Sequence, residues 1–351
     1  MKVFLTGGTG FIGQALVRAM RLRNWDVTVL VRNRENAAAA WIVKQGARLA
    51  QGDVTNPQGL ASAMAGADVT IHNAGVVEIG ADAATARRMQ AVNVGGTENI
   101  LSAASAAQAP RTVFVSSVWA LGPSGRAPAP SAARDETQRN DGNCLTLYER
   151  SKLQAHRIAL EWRERGLPLV IAMPNVVVGA NDHSPFGYLL RLTILGLMTP
   201  VAFGADAVWG LVDVDALADG LCLAAERARI GEDFVFSGEP TPLRQTFETW
   251  ARESGARPPR FYLPRGVMRP AVALLEPLQR LLDLPAFLSR EAVDLTRAHF
   301  DYSSAKAQRD LGWSRPDAEA MWPPIVRREK ALMARRQGLL NKLRHVAVAP
   351  E

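Results

Sequence analysis

The stretch Thr6-Gly7-Gly8-Thr9-Gly10-Phe11-Ile12-Gly13 limits the fold more than any other part of the chain. It follows a short apolar run, Val3-Phe4-Leu5, and leads into a helix-like segment from Gln14 to Leu22. Gly8, Gly10 and Gly13 fit G-x-G-x-x-G, while Gly7, Gly10 and Gly13 fit the related T-G-x-x-G-x-x-G. Strand, glycine turn and helix start in this order predict a βαβ unit that holds a dinucleotide. Glycine suits these places because a Cβ would obstruct the tight turn, the approach of backbone to pyrophosphate, and the packing of helix on strand. The helix N-terminus then offers N–H groups and a positive dipole end to phosphate, and Phe11 and Ile12, just before it, are expected at the cofactor.

Alternating strand and helix periods continue from there. Asp26 to Val31, Arg48 to Gln51, Val69 to Asn73, Thr112 to Ser116 and Leu169 to Met173 read as strands two to six. A long helical segment carries Asn93 to Thr97, and another, resuming near Leu147, carries Tyr148 to Lys152. This rhythm implies an α/β fold, a Rossmann doubly wound parallel sheet, with ligands at the carboxyl ends of its strands. Gly52-Asp53-Val54 and Asn73-Ala74-Gly75 stand at two such ends. After the sixth strand the rhythm loosens, through helix candidates at Phe186–Leu197, Asp215–Arg229 and Leu243–Ser254 and short strands at Leu211–Val214, Asp233–Phe236 and Arg260–Leu263. The expected division is a dinucleotide-binding domain over 1–174, with returning elements near 208–236. A smaller mixed α/β substrate lobe follows over 175–325, and a basic helix or tail over 326–351. Trp119 to Asn143, rich in Ala, Pro, Ser and Gly, is long for a connection and reads as a lid or binding loop.

Composition excludes several function classes. The chain of 351 residues carries a net charge of +7, but Arg327 to Arg344 alone holds seven basic residues and one acid. The rest is close to neutral, which argues against nucleic acid as a partner. Cys144 and Cys222 form no metal spacing and no disulfide framework, so no metal is expected and a reducing compartment is. A first strand at Lys2 leaves no room for a cleaved signal peptide. No stretch approaches the roughly 20 apolar residues of a membrane span; Val267 to Leu288 is interrupted by charges and prolines. The expected location is cytoplasmic, at most peripheral to a membrane.

An NAD-binding unit commonly places an acid about 20 residues past its glycines, where it bonds the adenosine ribose. Here that place holds Arg32-Asn33-Arg34. An arginine there faces a 2′-phosphate, and the missing carboxylate removes a repulsion. The expected cofactor is NADP, with NAD as the alternative.

Tyr148 and Lys152 stand four apart on a predicted helix and share one face. An ammonium beside a phenol lowers the phenol pKa from its usual value of about 10, which would bring Tyr148 toward acid–base work near neutrality. Ser117, at the end of the fifth strand, could hold a substrate oxygen against it.

These features together resemble the extended short-chain dehydrogenases/reductases, the broad group of nucleotide-sugar epimerases, dihydroflavonol reductases and 3β-hydroxysteroid dehydrogenases. The likeness runs from Lys2 to about Trp313 and is carried by Thr6–Gly13, Gly52-Asp53-Val54, Asn93–Thr97, Val115-Ser116-Ser117, Tyr148–Lys152, Pro174-Asn175-Val176-Val177-Val178-Gly179 and Asp301–Trp313. It implies a Ser117, Tyr148, Lys152 catalytic triad, with Lys152 also on the nicotinamide ribose. It places Asp53 at the adenine, Asn73 to Gly75 beneath the cofactor, Asn93 close to the lysine, and Pro174 to Val176 around the carboxamide.

Departures from the group narrow the chemistry. Met173 stands where an arginine usually precedes the proline. Ser117-Val118-Trp119-Ala120 lacks the acid pair of the dehydratases, so 4,6-dehydration of a sugar nucleotide is not expected. Asp206 to Leu211 lacks the arginine that meets a sugar diphosphate, leaving Arg191 or Arg244 as substitutes. The lobe is apolar at Leu189-Leu190, Leu192 to Met198, Val201 to Phe203 and Val267 to Leu288. The expected function is therefore an NADP-dependent oxidoreductase on a hydrophobic sterol-, hopanoid- or flavonoid-like ketone or alcohol. The alternatives are a nucleotide-sugar epimerase or reductase and a non-catalytic, cofactor-sensing scaffold. Expected partners are an apolar small molecule and a second copy in a homodimer; the tail reads first as a solvated or frayed C-terminal helix and, as the alternative, as a contact with a membrane surface. That contact would use Leu332, Met333, Leu339, Leu340 and Leu343, which lie among the tail's cations.

Overall fold

Strand β1 (Lys2–Thr6) is buried from Val3 onward, and its alternating side chains divide the core in two. Val3 and Leu5 join Leu16, Val17 and Met20 of helix α1 (Phe11–Leu22) and Leu217 and Leu221 of the helix Val214–Arg227. Phe4 faces the other way, toward Ile100, Leu101, Ala155 and Ala159. A strand covered on both faces must be apolar throughout, which is why it reads as a run rather than an alternation. The computed structural model describes residues 1–127, 129–281, 289–336 and 338.

Around β1 stand β2 (Asp26–Val31), β3 (Arg48–Gln51), β4 (Val69–His72), β5 (Thr112–Val115), β6 (Leu169–Pro174) and β7 (Asp233–Phe236). They form one parallel sheet in the order β7-β6-β5-β4-β1-β2-β3. Val3 pairs with Val27 on one side and Val69 on the other, so the winding reverses at β1. That reversal opens a crevice beyond the carboxyl ends of β1 and β4. The doubly wound α/β fold expected from the sequence is the observed one.

Most expected elements appear with ends displaced by a few residues. Helix α1 starts at Phe11 rather than Gln14, with Gly10 as its extended N-cap. The strand expected at Leu211–Val214 runs from Val208 to Asp213, because Val208–Gly210 pair with Pro240–Pro242. That partner strand is bounded by prolines and was not legible as a strand. The long helical segment before β5 is not uniform: Ala83–Met89 and Gly96–Ala106 are joined by a π-turn, Gln90–Gly95.

The segment Trp119–Asn143, expected as a lid or binding loop, is tied down against 297–303. Gly125–Arg126 pairs antiparallel with Ala298–His299, Ser124 and Ala127 donate to His299 and Arg297 carbonyls, and Tyr302 Oη donates to the Gly122 carbonyl at 2.5 Å. The segment is long because its backbone groups are satisfied against 297–303 rather than by a sheet of its own. Within Val267–Leu288, the helix Arg265–Leu281 is described, and 282–288 lie outside the described residues. Of the basic tail, the helix Ala318–Ala334 is described, and Leu339, Leu340, Lys342, Leu343 and Arg344 lie outside. Cys144 and Cys222 are free thiols. Among the described residues, no helix is long and apolar enough to cross a membrane, and no cluster of ligands could hold a metal ion.

Candidate active site

A cavity of about 770 Å³ occupies the crevice. Its floor at one end is the glycine turn. Gly7 has φ +72, and a Cβ there would meet the Ala74 backbone at 2.7 Å. At Gly13 a Cβ would lie 2.0 Å from the Gly7 carbonyl oxygen. At Gly10 the nearest protein atom would be 3.4 Å away, so the emptiness above it serves something other than the chain's own packing. The first turn of α1 has no acid and no side-chain cap. Its N–H groups are therefore left for an anion, and the residues present fit a dinucleotide diphosphate.

All the expected cofactor residues line this cavity except Gly13, Arg34 and Asn93. Gly13 shapes the turn from behind. Arg34 is exposed and off the wall, whereas Arg32 is exposed and on it. Asn93 is buried in the π-turn and acts from the second layer: Oδ1 accepts Val76 N–H at 2.7 Å, and Nδ2 donates to Ser151 Oγ and the Val76 carbonyl, each at 2.9 Å. An inserted π residue bulges the helix outward, and such turns are frequent at functional sites.

The helix Leu147–Glu164 carries the reactive pair. Thr146 caps it by accepting the Glu149 N–H at 2.9 Å, and Glu149, fully buried, accepts the Leu145 N–H at 2.6 Å. This reciprocal cap starts the helix one residue before Tyr148 and fixes which way Tyr148 and Lys152 face. Beside Tyr148 stands Ser117, whose Oγ accepts the Trp119 N–H at 3.2 Å and donates to the Pro174 carbonyl at 3.3 Å. Lys152 Nζ donates to the Val115 carbonyl at 3.1 Å.

One expectation about this pair is overturned. The lysine was expected to lower the phenol pKa. Instead burial pushes Tyr148 up to about 12, opposed only by the Ser117 hydroxyl. Burial also pushes Lys152 down to about 8. Desolvation dominates at both groups, because each is nearly shut off from water.

A directed chain of hydrogen bonds ties the glycine turn to the second layer. Thr97 Oγ1 donates to the Asn93 carbonyl at 2.7 Å, so it can only accept from His72 Nε2, at 3.2 Å. His72 Nδ1 then accepts from Thr6 Oγ1 at 2.8 Å, and Thr6 Oγ1 in turn accepts the Ala74 N–H at 3.1 Å. This donor count assigns His72 the neutral Nε2–H tautomer. Burial agrees, holding His72 down to about 3.

Beyond Tyr148 the walls turn apolar and aromatic. Trp119 stacks on Phe300 at 4.5 Å and meets Tyr148 edge-on at 5.7 Å, and Phe186, Trp209 and Phe247 continue the lining. Among the residues expected in the lobe, Leu189, Leu192, Met198 and Val201 to Phe203 lie on this wall. Trp119, Phe186, Trp209, Phe247, Asp182, His183 and Arg88 were not singled out as site residues. The aromatic ones converge from four separate segments, which no local pattern reveals. Neither substitute for the diphosphate arginine reaches the cavity. Arg191 is buried against Glu329 at 3.3 Å, and Arg244 lies over the Tyr262 ring at 4.1 Å.

Comparison with known proteins agrees with this architecture. A family model described as the NAD dependent epimerase/dehydratase family matches residues 3–236. The chain is 31% identical over 317 residues to the 4-hydroxy-2-methyl-3-oxo-4-farnesyl-3,4-dihydroquinoline-1-oxide ketoreductase of Stigmatella aurantiaca, covering 90% of this chain and 92% of that one. It is 28% identical over 328 residues to the 3 beta-hydroxysteroid dehydrogenase/Delta 5-->4-isomerase of Mycobacterium tuberculosis, covering 89% and 85%. The crystal structure of gox2253 is similar with a TM-score of 0.79 and 29% identity, over 94% of this chain and 98% of that one.

Proposed function

Because the chain belongs to the NAD dependent epimerase/dehydratase family and is an NAD(P)-dependent oxidoreductase, we propose that it uses NADP to interconvert a carbonyl and an alcohol on an apolar substrate. The observation that carries this reading is the cavity itself: glycine turn and Arg32 at one end, Ser117 and Tyr148 on the wall, aromatic side chains beyond. The relatives named for a farnesylated ketone and for 3β-hydroxysteroids support the apolar part.

The nicotinamide, when bound, supplies or accepts the hydride. The residues that would hold the dinucleotide are Gly7, Gly10, Phe11 and Ile12 at the diphosphate, Asp53 and Val54 at the adenine, and Arg32 at a 2′-phosphate. Asn73 to Gly75 and Pro174 to Val176 would flank the remainder. Ser117 Oγ would turn from its long contact with Pro174 and donate to the substrate oxygen. Tyr148 would give its phenolic proton to that oxygen during reduction and take it back during oxidation. A phenol held near 12 stays protonated at neutral pH, which suits it to the reductive direction. Lys152, with one of its three donors spent on Val115, would offer the others to the cofactor ribose. Trp119 and Trp209 would exclude water from the reacting carbonyl.

A sugar diphosphate would need a cation on the substrate side. Arg191 and Arg244 do not provide one, which leaves Arg88 on the wall as the cation an epimerase would have to use. The test is the absorbance of NADPH and NADH with hydroxysteroids, prenylated aromatic ketones, flavanonols and UDP-glucose, each with a Tyr148→Phe control. Net oxidation of NADPH by an apolar ketone, abolished in the variant, is expected. An altered UDP-sugar without net turnover would overturn the proposal in favour of epimerisation.

A further inference from the structure

Asn181 to Ser184 lie in the connection from the strand Val176–Val178 to the helix Pro185–Ile194. Asp182, His183 and Ser184 line the cavity, and the His183 ring meets Phe11, the first residue of α1, edge-on at 6.0 Å. The loop thus stands beside the helix start that would carry the diphosphate. Asp182 directs its carboxylate back into the loop, accepting from Ser184 N and Oγ at 2.7 Å each.

What holds this loop comes from the far end of the chain. Glu329, in the helix Ala318–Ala334, accepts the Asn181 N–H at 2.5 Å and pairs with Arg191 at 3.3 Å. Arg336 donates to Asn181 Oδ1 at 2.9 Å and lies 3.9 Å from Glu329. Arg191 also donates to the Asp182 carbonyl at 2.9 Å. Asn181 sits at φ +66, in the left-handed region that asparagine enters more readily than most residues with a Cβ. The side chains of Arg191, Glu329 and Arg336 are 2%, 1% and 9% exposed. Charges so deeply placed are stable only while they remain together. Seating of the C-terminal helix and closure of the loop are therefore one state, not two.

We propose that the C-terminal helix sets the affinity of the dinucleotide cavity, with Glu329 and Arg336 as positioning residues that hold the loop Asn181–Ser184 in place. This rests on reading the cavity as the dinucleotide site. It gives the basic end of the chain a use: Arg328 bonds Asp215 at 2.7 Å, Lys330 bonds the Ser254 carbonyl at 3.2 Å, and Arg336 completes the latch. Coupling of this kind is reciprocal, so a ligand that needs the closed loop must also protect the helix that closes it.

The test is hydrogen exchange on the full-length protein with and without NADPH, and NADH in parallel. Fluorescence titration then gives the dinucleotide Kd of wild type, Glu329→Gln and Arg336→Gln. The expected result is slower exchange across 325–336 as well as 181–184 when dinucleotide binds. The variants should weaken Kd by roughly tenfold, with the loss falling on Kd rather than on kcat at saturation. If Glu329→Gln does not fold, the wild-type exchange and Arg336→Gln, at the edge of the cluster, decide alone. Dinucleotide that binds wild type without slowing exchange at 325–336, or folded variants with the wild-type Kd, would overturn the proposal. Failure of wild type to bind either dinucleotide would overturn the cavity reading as well.

Discussion

Lys152 Nζ is bonded to the main-chain carbonyl of Val115 at 3.1 Å and lies 5.6 Å from the Phe114 ring centroid, so the amine is anchored to β5 rather than to the phenol one turn away. It is a cation kept largely out of water.

That placement has a thermodynamic consequence. The folded protein holds Lys152 near 8, below the roughly 10.4 of an unfolded lysine. A depressed amine penalises the folded state fully below about pH 8, and the penalty fades as pH rises through about 10. Its upper size is about 3 kcal/mol at neutral pH. Lys152→Met is expected to abolish turnover yet raise the melting temperature at pH 7, with the advantage shrinking at pH 10. Thermal denaturation at both pH values checks it; equal destabilisation at both would contradict it.

Tyr148 governs the opposite limb. With the phenol held up to about 12, the rate of carbonyl reduction at saturating cofactor should stay level through neutrality and lose its proton donor only in strong alkali. Alcohol oxidation, which needs the deprotonated form, should climb with pH over the same range. Tyr148→Phe should lower both directions by roughly 10²–10⁴ while dinucleotide binding persists. A pH–rate profile for each direction distinguishes this from a phenol lowered to near 7.

The glycine turn separates two kinds of requirement. A Cβ at Gly13 strikes the Gly7 carbonyl at 2.0 Å, so Gly13→Ala should lower stability as well as binding. At Gly10 the protein itself leaves 3.4 Å, so Gly10→Ala should keep its melting temperature and lose dinucleotide affinity by roughly tenfold or more. Calorimetric melting beside a binding titration resolves the pair.

Arg32, on the cavity wall, is expected to select the 2′-phosphate. Arg32→Ala should raise the KM for NADPH roughly tenfold, as for one charge-assisted hydrogen bond lost, and leave the KM for NADH nearly unchanged. Arg34→Ala, off the wall, should change neither. Equal effects on both dinucleotides would remove the preference for NADP.

The residues legible in advance were those fixed by local chemistry. Gly7, Gly10, Tyr148 and Lys152 declare themselves because turn geometry and helical spacing act over a few residues, whereas Asp53, Asn73 to Gly75 and Pro174 to Val176, which also line the cavity, were given their cofactor roles only by the family resemblance. The apolar half was not legible residue by residue. Trp119, Phe186, Trp209 and Phe247 each sit in an ordinary apolar neighbourhood, and only the tertiary fold brings them together. Arg191 shows the converse error: a cation near the lobe looks available in sequence, while its acid, Glu329, lies 138 residues away. The direction of the Tyr148 shift was missed because helical spacing reports proximity but not dehydration.

The tautomer assigned to His72 reaches beyond the frame that it completes. His72, His156 and His183 are held down to about 3, 4 and 4, so all three stay uncharged throughout the range where histidine ordinarily responds. Two groups on the cavity wall are shifted into that range instead: a carboxyl, Asp182, pushed up to about 6, and an amine, Lys152, pushed down to about 8. Between mild acidity and mild alkalinity, charge on the cavity wall therefore changes beside Phe11 and at the end of β5, while the link between glycine turn and π-turn keeps its protons in place.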